Sequence, residues 1–502
     1  MAYSDNSMHR AGYADGNLTV QVDWGEEAEA GVRPGGLAAL EQRLAQDLAW
    51  LDLPAKRWVP AGRAGGECLQ DVVIIGAGMA GLAAGTCMKH LGMQAVLLDA
   101  APEGFEGPWA TTARMETLRS PKQLTGPALG LPALTFRAWY EAQFGLDAWD
   151  ALDKIPRLQW MEYLRWYRRV MDLDIRNRHR VVRIQPRADH VRIEFEAPAG
   201  PGVLHARRLV LATGRAGLGG PYIPDFMENI PRRYWAHSSD TMDYDTLRGL
   251  RVGVVGAGAS AMDSASTALE AGAAHVDMLI RRSDIPRVNK GKGAGSAGFT
   301  HGYQQLPDAW KWRIRHYINR SQVPPPRGSM LRVSRHENVS FNLASPVVRV
   351  AEHEGRLRVD TASKTFDFDF LILSTGFMVD WETRPEYAEI APHVRTWIER
   401  YTPGAGEEDQ ELATSPDLGP SFEFQAKAGH DVPGLSRIHC LCYPAAMSHG
   451  TVSGDIPAIS DGAERLAKGI AALLFVENID THFDQLEKYD EPEVFGDEWT
   501  PA

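Results

Sequence analysis

The chain has 502 residues and a formal net charge of −12. This length fits two or three domains, one of which can be discontinuous, and an apolar share of 44% supplies a large core. The acidic balance argues against a nucleic-acid-binding protein, which normally carries a basic surface. Four cysteines in so long a chain favour a reducing, cytoplasmic compartment, and the sequence contains no apolar run long enough to predict a membrane-spanning helix.

Residues 1–70 are predicted to form an N-terminal extension. The first 35 residues are polar and rich in glycine, and we expect them to form an arm or a loosely packed segment. After them, leucines at helical spacing predict an amphipathic helix over residues 37–51.

The first core element is a short apolar run, residues 72–75, followed at once by a glycine-rich turn and a small-residue helix. A strand, a turn and a helix in this order open a dinucleotide-binding βαβ unit. The glycines allow a tight turn, close approach of a pyrophosphate and packing of helix on strand, and the helix N-terminus attracts phosphate. The next strand, residues 94–99, ends in an acid placed to bind a ribose. The predicted nucleotide contacts are Gly76, Gly78, Met79, Ala80, Gly81 and Asp99.

The same arrangement recurs further along the chain. Residues 251–255 form a strand, a second turn follows, and residues 276–280 form the next strand, which ends in Arg281 and Arg282 instead of an acid. Arginines can clamp the 2′-phosphate of NADP(H), which an acid would repel. One such contact implies a preference over NAD(H) of roughly 10- to 100-fold; the alternative is a solvated surface pair. The predicted turn contacts are Gly256, Gly258, Ala259, Ser260 and Ala261.

Two apolar strands, residues 209–214 and 370–377, both end in Thr-Gly. We interpret Thr213 and the pair Thr375-Gly376 as the crossings between two nucleotide domains. The predicted fold class is therefore α/β, with two Rossmann-like dinucleotide-binding domains, the second inserted into the first. The first domain would span residues 71–235 and 376–502, and the second residues 236–375.

Residues of about 287–335 carry ten lysines and arginines against one acid, Asp308. We interpret this stretch as a basic insertion in the second domain that faces the cleft. It favours an anionic substrate, with Arg287, Lys290 and Arg313 as candidate anchors. The alternative is that these charges hold the nucleotide or face water. From residue 458 we expect one more helix and then an acidic, weakly structured tail.

The two glycine turns, Ala-Thr-Gly at 212–214, Ser-Thr-Gly-Phe at 374–377 and the string 256–263 resemble the class B flavin-dependent monooxygenases. The resemblance covers roughly residues 70–475 and implies FAD in the first domain and NADPH in the second. The family comprises flavin-containing, N-hydroxylating and Baeyer–Villiger monooxygenases. His237 matches the histidine of a family signature, but Arg233 and Pro231 replace its Gly and Phe, so no subgroup is assigned.

Three further segments extend the resemblance. Residues 107–109 resemble the Gly-Gly-x-Trp turn beside the flavin, residues 119–124 the segment under the isoalloxazine, and residues 448–450 the return of the chain to the ring. The resemblance implies Lys122, His237 and His449 as candidate catalytic residues. For each a structural role stays open: a surface lysine, a hinge histidine and a packing histidine. The further expected FAD contacts are Trp109, Leu118, Val182 and Thr213.

The resemblance implies a mechanism in which NADPH reduces FAD, dioxygen adds to give a C4a-hydroperoxyflavin, and a soft nucleophile takes the distal oxygen. Our first choice is N-hydroxylation of a small polar amine or amino acid, for example aspartate or ornithine. The alternatives are S-oxygenation or Baeyer–Villiger oxidation, and an NADPH-dependent flavin reductase or oxidase without oxygen transfer. We expect a small-molecule substrate and O2 as partners, with no metal, nucleic acid or membrane, and the chain is compatible with a homo-oligomer. A disulfide reductase is a rival class, but Cys440 and Cys442 lack the Cys-x-x-Cys spacing.

Overall fold

The computed structural model describes residues 12–14, 17–19 and 35–499. The arm expected for residues 1–35 therefore lies largely outside the described residues. The helices are α1 Gly36–Trp50, α2 Met79–His90, α3 Phe136–Phe144, α4 Leu146–Ala151, α5 Arg157–Val170, α6 Ala259–Glu270, α7 Lys290–Ala294, α8 Ala297–Gly302, α9 Asp308–Ser321, α10 Arg327–Ser334, α11 Trp397–Arg400, α12 Gln410–Thr414, α13 Ala446–His449, α14 Ile459–Glu477 and α15 Ile479–Glu487.

The strands are β1 Gly12–Ala14, β2 Asn17–Thr19, β3 Arg63–Ala64, β4 Glu67–Ile75, β5 Ala95–Asp99, β6 Asp174–Asn177, β7 Arg180–Pro186, β8 Val191–Ala197, β9 Gly200–Leu211, β10 Gly219–Pro221, β11 Trp235–His237, β12 Arg251–Val255, β13 His275–Leu279, β14 Val339–Asn342, β15 Val347–His353, β16 Arg356–Thr361, β17 Thr365–Phe368, β18 Phe370–Leu373, β19 Phe377–Val379 and β20 Ile438–Cys440.

The first sheet has the order β6-β5-β4-β9-β8-β7, with β3 beside β4 and β20 beside β9. The parallel strands β4 and β9 are buried along both runs, residues 72–74 and 209–211, because helices cover the sheet. Strand β20 joins this sheet in parallel with β9, although the whole second sheet precedes it in the chain. The first domain is therefore discontinuous.

The second sheet is fully parallel, in the order β11-β18-β12-β13-β14. Strands β15, β16 and β17 form a separate antiparallel sheet. The predicted fold class, with one Rossmann-like domain inserted into the other, is confirmed.

The two crossings between the sheets pair with each other. Strand β10 follows the Thr-Gly end of β9, β19 follows the Thr-Gly end of β18, and the two are antiparallel partners. A side chain at Gly219 would bring its Cβ to 2.1 Å from the carbonyl oxygen of Met378, so the ribbon needs glycine there. The paired crossings fix both nucleotide turns to one short ribbon.

The predicted N-terminal helix is confirmed as α1, which buries Leu44 in an aromatic-rich core with α3 and α5. The tail after residue 458 is different from the expectation. Helix α14 is followed by a second helix, α15, where we expected weak structure. Its apolar residues Ile479, Phe483 and Leu486 recur at helical spacing, a periodicity that the acidic composition concealed.

The basic insertion lies between β13 and β14 and forms helices α7 to α10. Helix α10 packs on α6 of the second domain. Helix α9 instead packs on the C-terminal part of the chain, where its Trp312 is buried against Trp397, Leu412 and Met447. The insertion therefore packs on both domains.

Candidate functional site

The first glycine turn is closed by backbone contacts that exclude side chains. Gly76 has φ +102°, and a Cβ there would lie 2.5 Å from the carbonyl oxygen of Ala212. A Cβ on Gly81 would lie 1.9 Å from the carbonyl oxygen of Gly76. The first glycine thus lets β4 approach the end of β9, and the third lets α2 approach β4.

The N-terminus of α2 is open to a ligand. Its N-cap is Gly78, no side chain caps it, and its first turn, which includes Met79 and Ala80, has no acid. A Cβ on Gly78 would meet only the backbone of Gly107, at 3.8 Å. Unpaired first-turn N–H groups beside open space fit a pyrophosphate.

Asp99 ends β5 directly beside this turn. Its Oδ2 accepts a hydrogen bond of 2.7 Å from the Ala77 N–H, and its Oδ1 one of 2.8 Å from the Ala101 N–H. Burial raises the pKa of Asp99 above its ordinary range, and the two backbone donors oppose that shift. Next to it, Arg168 forms a buried ion pair with Glu106, which the sequence analysis missed because the partners come from separate elements.

The other expected FAD contacts differ in how far their side chains are buried. Trp109 is half-buried and packs edge-on against Trp160 at 6.4 Å between ring centroids. Leu118 is buried, and its N–H donates to the carbonyl oxygen of Ile155. Thr213 lies against the turn through its neighbour Ala212, whereas Val182 is exposed at a bulge of β7.

The second glycine turn repeats this construction. Gly256 has φ +133°, and a Cβ there would lie 2.7 Å from the carbonyl oxygen of Ser374, beside Thr375 and Gly376. A Cβ on Gly258 would meet nothing within 4 Å. Helix α6 then begins, again without a side-chain cap or an acid in its first turn, and that turn is formed by Ala259, Ser260 and Ala261.

The two arginines follow the end of β13, the position that an acid holds in the first domain. Arg281 is exposed. Arg282 is half-buried, and its Nη2 donates a hydrogen bond of 3.0 Å to the carbonyl oxygen of Arg320 in the insertion. Within the described chain, no carboxylate lies inside 4.0 Å of either arginine side chain. Their charges are therefore available to a phosphate.

The predicted catalytic residue Lys122 lies in a structural contact. Its Nζ donates to the carbonyl oxygens of Trp149 and Asp150 at 2.7 and 3.2 Å. These carbonyls belong to the C-terminal turn of α4, where a cation is favourable. The geometry therefore favours the structural alternative for this lysine.

His237 ends β11 and is buried. Its Nδ1 lies 2.7 Å from Ser239 Oγ, and its ring packs edge-on against Phe377 at 5.6 Å. Burial is the main reason that its pKa is lowered. This position joins the end of β11 to the crossing at 376–377.

His449 is fully buried at the end of α13. Its ring stacks on Phe422 at 3.6 Å, and Nε2 donates to the carbonyl oxygen of Gly419 at 3.0 Å. Burial, with the charges of Arg465 and Lys311, lowers its pKa to about 3. The ring is therefore neutral, with the unpartnered Nδ1 lone pair as an acceptor among the described residues.

The expected substrate anchors face outward. Arg287 pairs with Asp284, Lys290 lies over Tyr317, and Arg313 lies over Trp310, all on exposed surface. Helix α9 instead buries Lys311 and Arg315, each 6% exposed. The sequence analysis missed them because it treated the basic stretch as one charge run. Their spacing of four residues, on the same side as Trp312, is the signal of an inward face.

In the part of the chain that the structure describes, no group of three His, Cys, Asp or Glu residues could hold a metal. None of its helices is long and apolar enough to cross a membrane.

Comparison with known proteins gives three kinds of match. A family model described as pyridine nucleotide-disulphide oxidoreductase matches residues 73–292, which include both glycine turns. The FAD-dependent urate hydroxylase of Xanthomonas campestris pv. campestris is 38% identical over 472 residues, which are 92% of this chain and 98% of that protein.

Solved structures match as well. The ornithine N-hydroxylase of Kutzneria sp. 744, with reduced FAD, NADP⁺ and L-ornithine, has a TM-score of 0.63 at 16% identity and covers 80% of this chain and 99% of its own. The ornithine hydroxylase of Pseudomonas aeruginosa has a TM-score of 0.62 at 16% identity, with 80% and 98% covered. The L-lysine 6-monooxygenase of Pseudomonas syringae has a TM-score of 0.61 at 17% identity, with 80% and 99% covered.

The structural matches show the fold, and the urate hydroxylase, similar over almost its whole length, shows the family. These matches together confirm the expectation of an FAD- and NADP(H)-dependent oxidoreductase. The chain belongs to the class B flavin-dependent monooxygenases, the family that its motifs resemble.

Proposed function

We propose that this protein uses NADPH and O2 to hydroxylate a small anionic nitrogen compound, with urate or a related purine as the first candidate. The observation that carries the proposal is the 38% identity to a urate hydroxylase over 98% of that protein's length. This replaces our first choice from the sequence, an amino-acid amine, as the leading substrate class. The proposed chemistry stays oxygen transfer through a C4a-hydroperoxyflavin.

The two glycine turns support the assignment of both cofactors. FAD would place its pyrophosphate at the N-terminus of α2 and its ribose at Asp99. NADPH would place its pyrophosphate at the N-terminus of α6 and its 2′-phosphate at Arg281 and Arg282. The flavin then supplies hydride acceptance and oxygen activation, and the protein supplies position and a dry surrounding.

The buried residues between the domains support a role in excluding water. His449, on the segment that resembles the return to the flavin ring, stacks on Phe422, and both side chains are fully buried. Trp397 Nε1 donates 2.9 Å to Ser448 Oγ, which fixes that segment from the side of α11. Closely packed surroundings of this kind would exclude water from a flavin–oxygen adduct and so slow its breakdown to hydrogen peroxide.

The test is stopped-flow absorbance of the purified, NADPH-reduced protein mixed with oxygen. We expect a long-lived band of a C4a-hydroperoxyflavin, which urate discharges faster than ornithine or lysine does. Return to oxidised flavin with stoichiometric hydrogen peroxide, with urate present as well as absent, would instead identify an oxidase. Product analysis with labelled dioxygen then shows whether the oxygen atom enters the substrate.

N-hydroxylation of an amino-acid amine is the second candidate. The solved ornithine and lysine hydroxylases share the fold over 80% of this chain. Faster discharge by ornithine or lysine than by urate would favour it. S-oxygenation and Baeyer–Villiger oxidation stay alternatives for the same assay, with a thioether and a ketone as probes. The predicted cytoplasmic location and homo-oligomer stay predictions.

A disulfide reductase is disfavoured by the thiols. Cys440 and Cys442 are fully buried beside Thr213, and Cys87 is 5% exposed on α2. Burial raises the pKa of Cys87 and Cys440, which opposes formation of the attacking thiolate. Hydrogen bonds with Cys440 and Thr213 lower the pKa of Cys442, but full burial keeps that thiol away from a substrate disulfide. The double variant Cys440→Ala/Cys442→Ala should keep NADPH and O2 consumption in the presence of the substrate, and loss of that turnover in a folded, FAD-loaded protein with unchanged flavin reduction would revive the disulfide reductase.

A further inference from the structure

Lys311 and Arg315 are buried cations without a counter-charge. They lie one turn apart on the inward face of α9, and each is 6% exposed. Within residues 35–499 no carboxylate lies inside 4.0 Å of either side chain, and neither donates a side-chain hydrogen bond. Arg315 Nε is fully buried and unpartnered. The Lys311 ammonium lies 5.8 Å from the centre of the Trp397 ring, a cation–π contact that leaves its charge without a counter-charge. Because a buried cation without a counter-charge is unfavourable, this arrangement implies an anion that completes it.

The nearest acids are already neutralised by other arginines. Arg400 donates 2.8 Å to Asp308 Oδ2 and 2.7 Å to Asp417 Oδ1. Arg395 donates to the other oxygen of Asp417. Burial and the charge of Arg400 lower the pKa of Lys311, while Asp308 and Asp417 act weakly in the opposite direction. The cation at Lys311 therefore has no carboxylate of its own in the described chain.

A third cation, on α14, contacts the segment that carries His449. Arg465 donates 2.7 Å to the carbonyl oxygen of Thr300 and 3.3 Å to that of His449, and it forms no ion pair with a described acid. On the other side, the Trp397 ring that Lys311 contacts donates through Nε1 to Ser448, the neighbour of His449, and His449 presents an unpartnered Nδ1 within the described chain. Lys311 and Arg465 thus approach the segment that carries His449 from two different helices.

Tyr303 links the two sides. Its hydroxyl donates 3.2 Å to the carbonyl oxygen of Met447 and lies 3.4 Å from that of Lys311. Arg315 follows Lys311 by one turn on the same buried face of α9. The cations therefore come from the insertion on one side and from the C-terminal part of the FAD-binding domain on the other.

We propose that Lys311, Arg315 and Arg465 form the binding site for the negatively charged group of the substrate, a small organic anion whose charge is spread over two or more oxygens. The proposal rests on the proposed function and names the residues that recognise its substrate. A guanidinium matches such a delocalised group with paired hydrogen bonds, and an ammonium adds a point charge. His449 Nδ1 would accept a hydrogen bond from an N–H of the same molecule.

The test uses the full-length, FAD-loaded protein and measures binding without turnover. Calorimetry compares urate, an anion near neutral pH, with hypoxanthine, a neutral purine of similar shape, for Lys311→Met and Arg315→Met. Arg313→Met is the matched control, since it removes a cation from the outer face of the same helix. We expect each variant of the inward face, Lys311→Met and Arg315→Met (the inner variants), to weaken urate binding by about tenfold or more, while hypoxanthine and NADPH binding stay unchanged. Unchanged urate binding, or equal loss of both purines, would overturn the proposal.

A second measurement separates this site from the proposed reaction. If the cations lack a partner in the ligand-free protein, both inner variants should raise its melting temperature above that of wild type and of Arg313→Met. A lower melting temperature than that of the control would show that the cations are already satisfied and would contradict the proposal. Should the Met variants fail to fold, Lys311→Gln and Arg315→Gln give the same comparison. A protein that binds urate through this site but transfers no oxygen would refute the proposed function alone.

Discussion

Ser329 Oγ donates a hydrogen bond of 2.7 Å to Asp263 Oδ1 and so joins α10 of the insertion to α6 of the NADPH-binding domain. Asp263 is 3% exposed. Burial raises its pKa above the ordinary 3.8, and the Ser329 bond and the charges of Arg119 and Arg332 oppose that shift without cancelling it. The contact between the two elements therefore includes a carboxylate that is costly to keep charged.

Asp263→Asn should stabilise the protein at neutral pH by about 1 kcal/mol, because the amide keeps the acceptor for Ser329 without the buried charge. A raised folded-state pKa gives stability that is complete below the unfolded value and is lost as pH rises through the folded value. The advantage of the variant should therefore shrink in acid. Denaturation midpoints at neutral and acidic pH check this, with Ser329→Ala as a destabilising control. Destabilisation by Asp263→Asn at neutral pH would show that its charge is needed.

A glycine-to-alanine substitution should impair nucleotide binding in one turn and folding in the other. Gly258→Ala adds a methyl group that meets nothing in the protein within 4 Å, at φ −78°, so the fold should be unaffected. The methyl group would occupy space needed by a pyrophosphate, and we expect NADPH binding to weaken by at least tenfold. Gly81→Ala would place its Cβ 1.9 Å from the Gly76 carbonyl oxygen and should reduce folding yield and FAD content. Melting curves and nucleotide titrations distinguish these outcomes, and normal NADPH affinity in Gly258→Ala would refute the second site.

Arg281→Ala tests the 2′-phosphate clamp. Arg281 is exposed and without an ion pair inside the described chain, so its loss should leave stability within about 0.5 kcal/mol of wild type. The KM for NADPH should rise roughly tenfold because one charge-assisted contact is lost. The KM for NADH, which has no 2′-phosphate, should stay unchanged. An equal rise in KM for both nucleotides would assign Arg281 another role. Arg320→Ala is the control, because it shortens only the side chain of the residue whose carbonyl oxygen accepts from Arg282.

The two nucleotide-binding units could be predicted from the sequence because their information is local. Strand, turn and helix follow one another within a few residues, and the glycines are required by local contacts: that of Gly76 with Ala212 in the first unit recurs in the second as Gly256 with Ser374. The discontinuous domain was also predictable, since both crossings carry the same Thr-Gly ending. Strand β20 was not predicted: three residues, Ile438–Cys440, become a strand only by pairing with β9.

The charged residues of the site were harder to predict. The basic stretch 287–335 has a clear composition, but which cations turn inward depends on the face of α9 that packs on Trp397 and Met447. Arg313 and Arg315 are two positions apart and lie on opposite sides of that helix. Pairs such as Glu106 with Arg168 join distant elements, and no spacing rule connects them. Tertiary packing decides these contacts.

The last prediction concerns pH and two buried histidines. Burial lowers the pKa of both His449 and His439 to about 3. His449 Nε2 donates to the Gly419 carbonyl oxygen, and His439 Nδ1 lies 2.7 Å from that of Ser421. These bonds orient the rings and oppose the lowering of the pKa, so burial is what keeps both rings neutral. In the unfolded chain each would take up a proton near pH 6.5. Their stabilising contribution is therefore present above that pH and is lost as the pH falls from 6.5 towards 3, by about 1.4 kcal/mol per pH unit for each ring.

His439→Asn and His449→Gln keep a donor at the bonded nitrogen and cannot take up a proton. The double variant should therefore lose unfolding free energy less steeply than wild type when the pH falls from 7 to 5. His353→Gln is the control, because that ring is exposed and forms no ion pair with a described residue, so the slope should stay unchanged. A neutral His449 also implies that the activity of His449→Gln follows the same pH profile as wild type, since the ring would accept a hydrogen bond and would not exchange a proton. If the single variant removed a titration from the activity profile, His449 would instead be a general acid or base, and its pKa in the FAD-loaded protein would have to lie near neutrality.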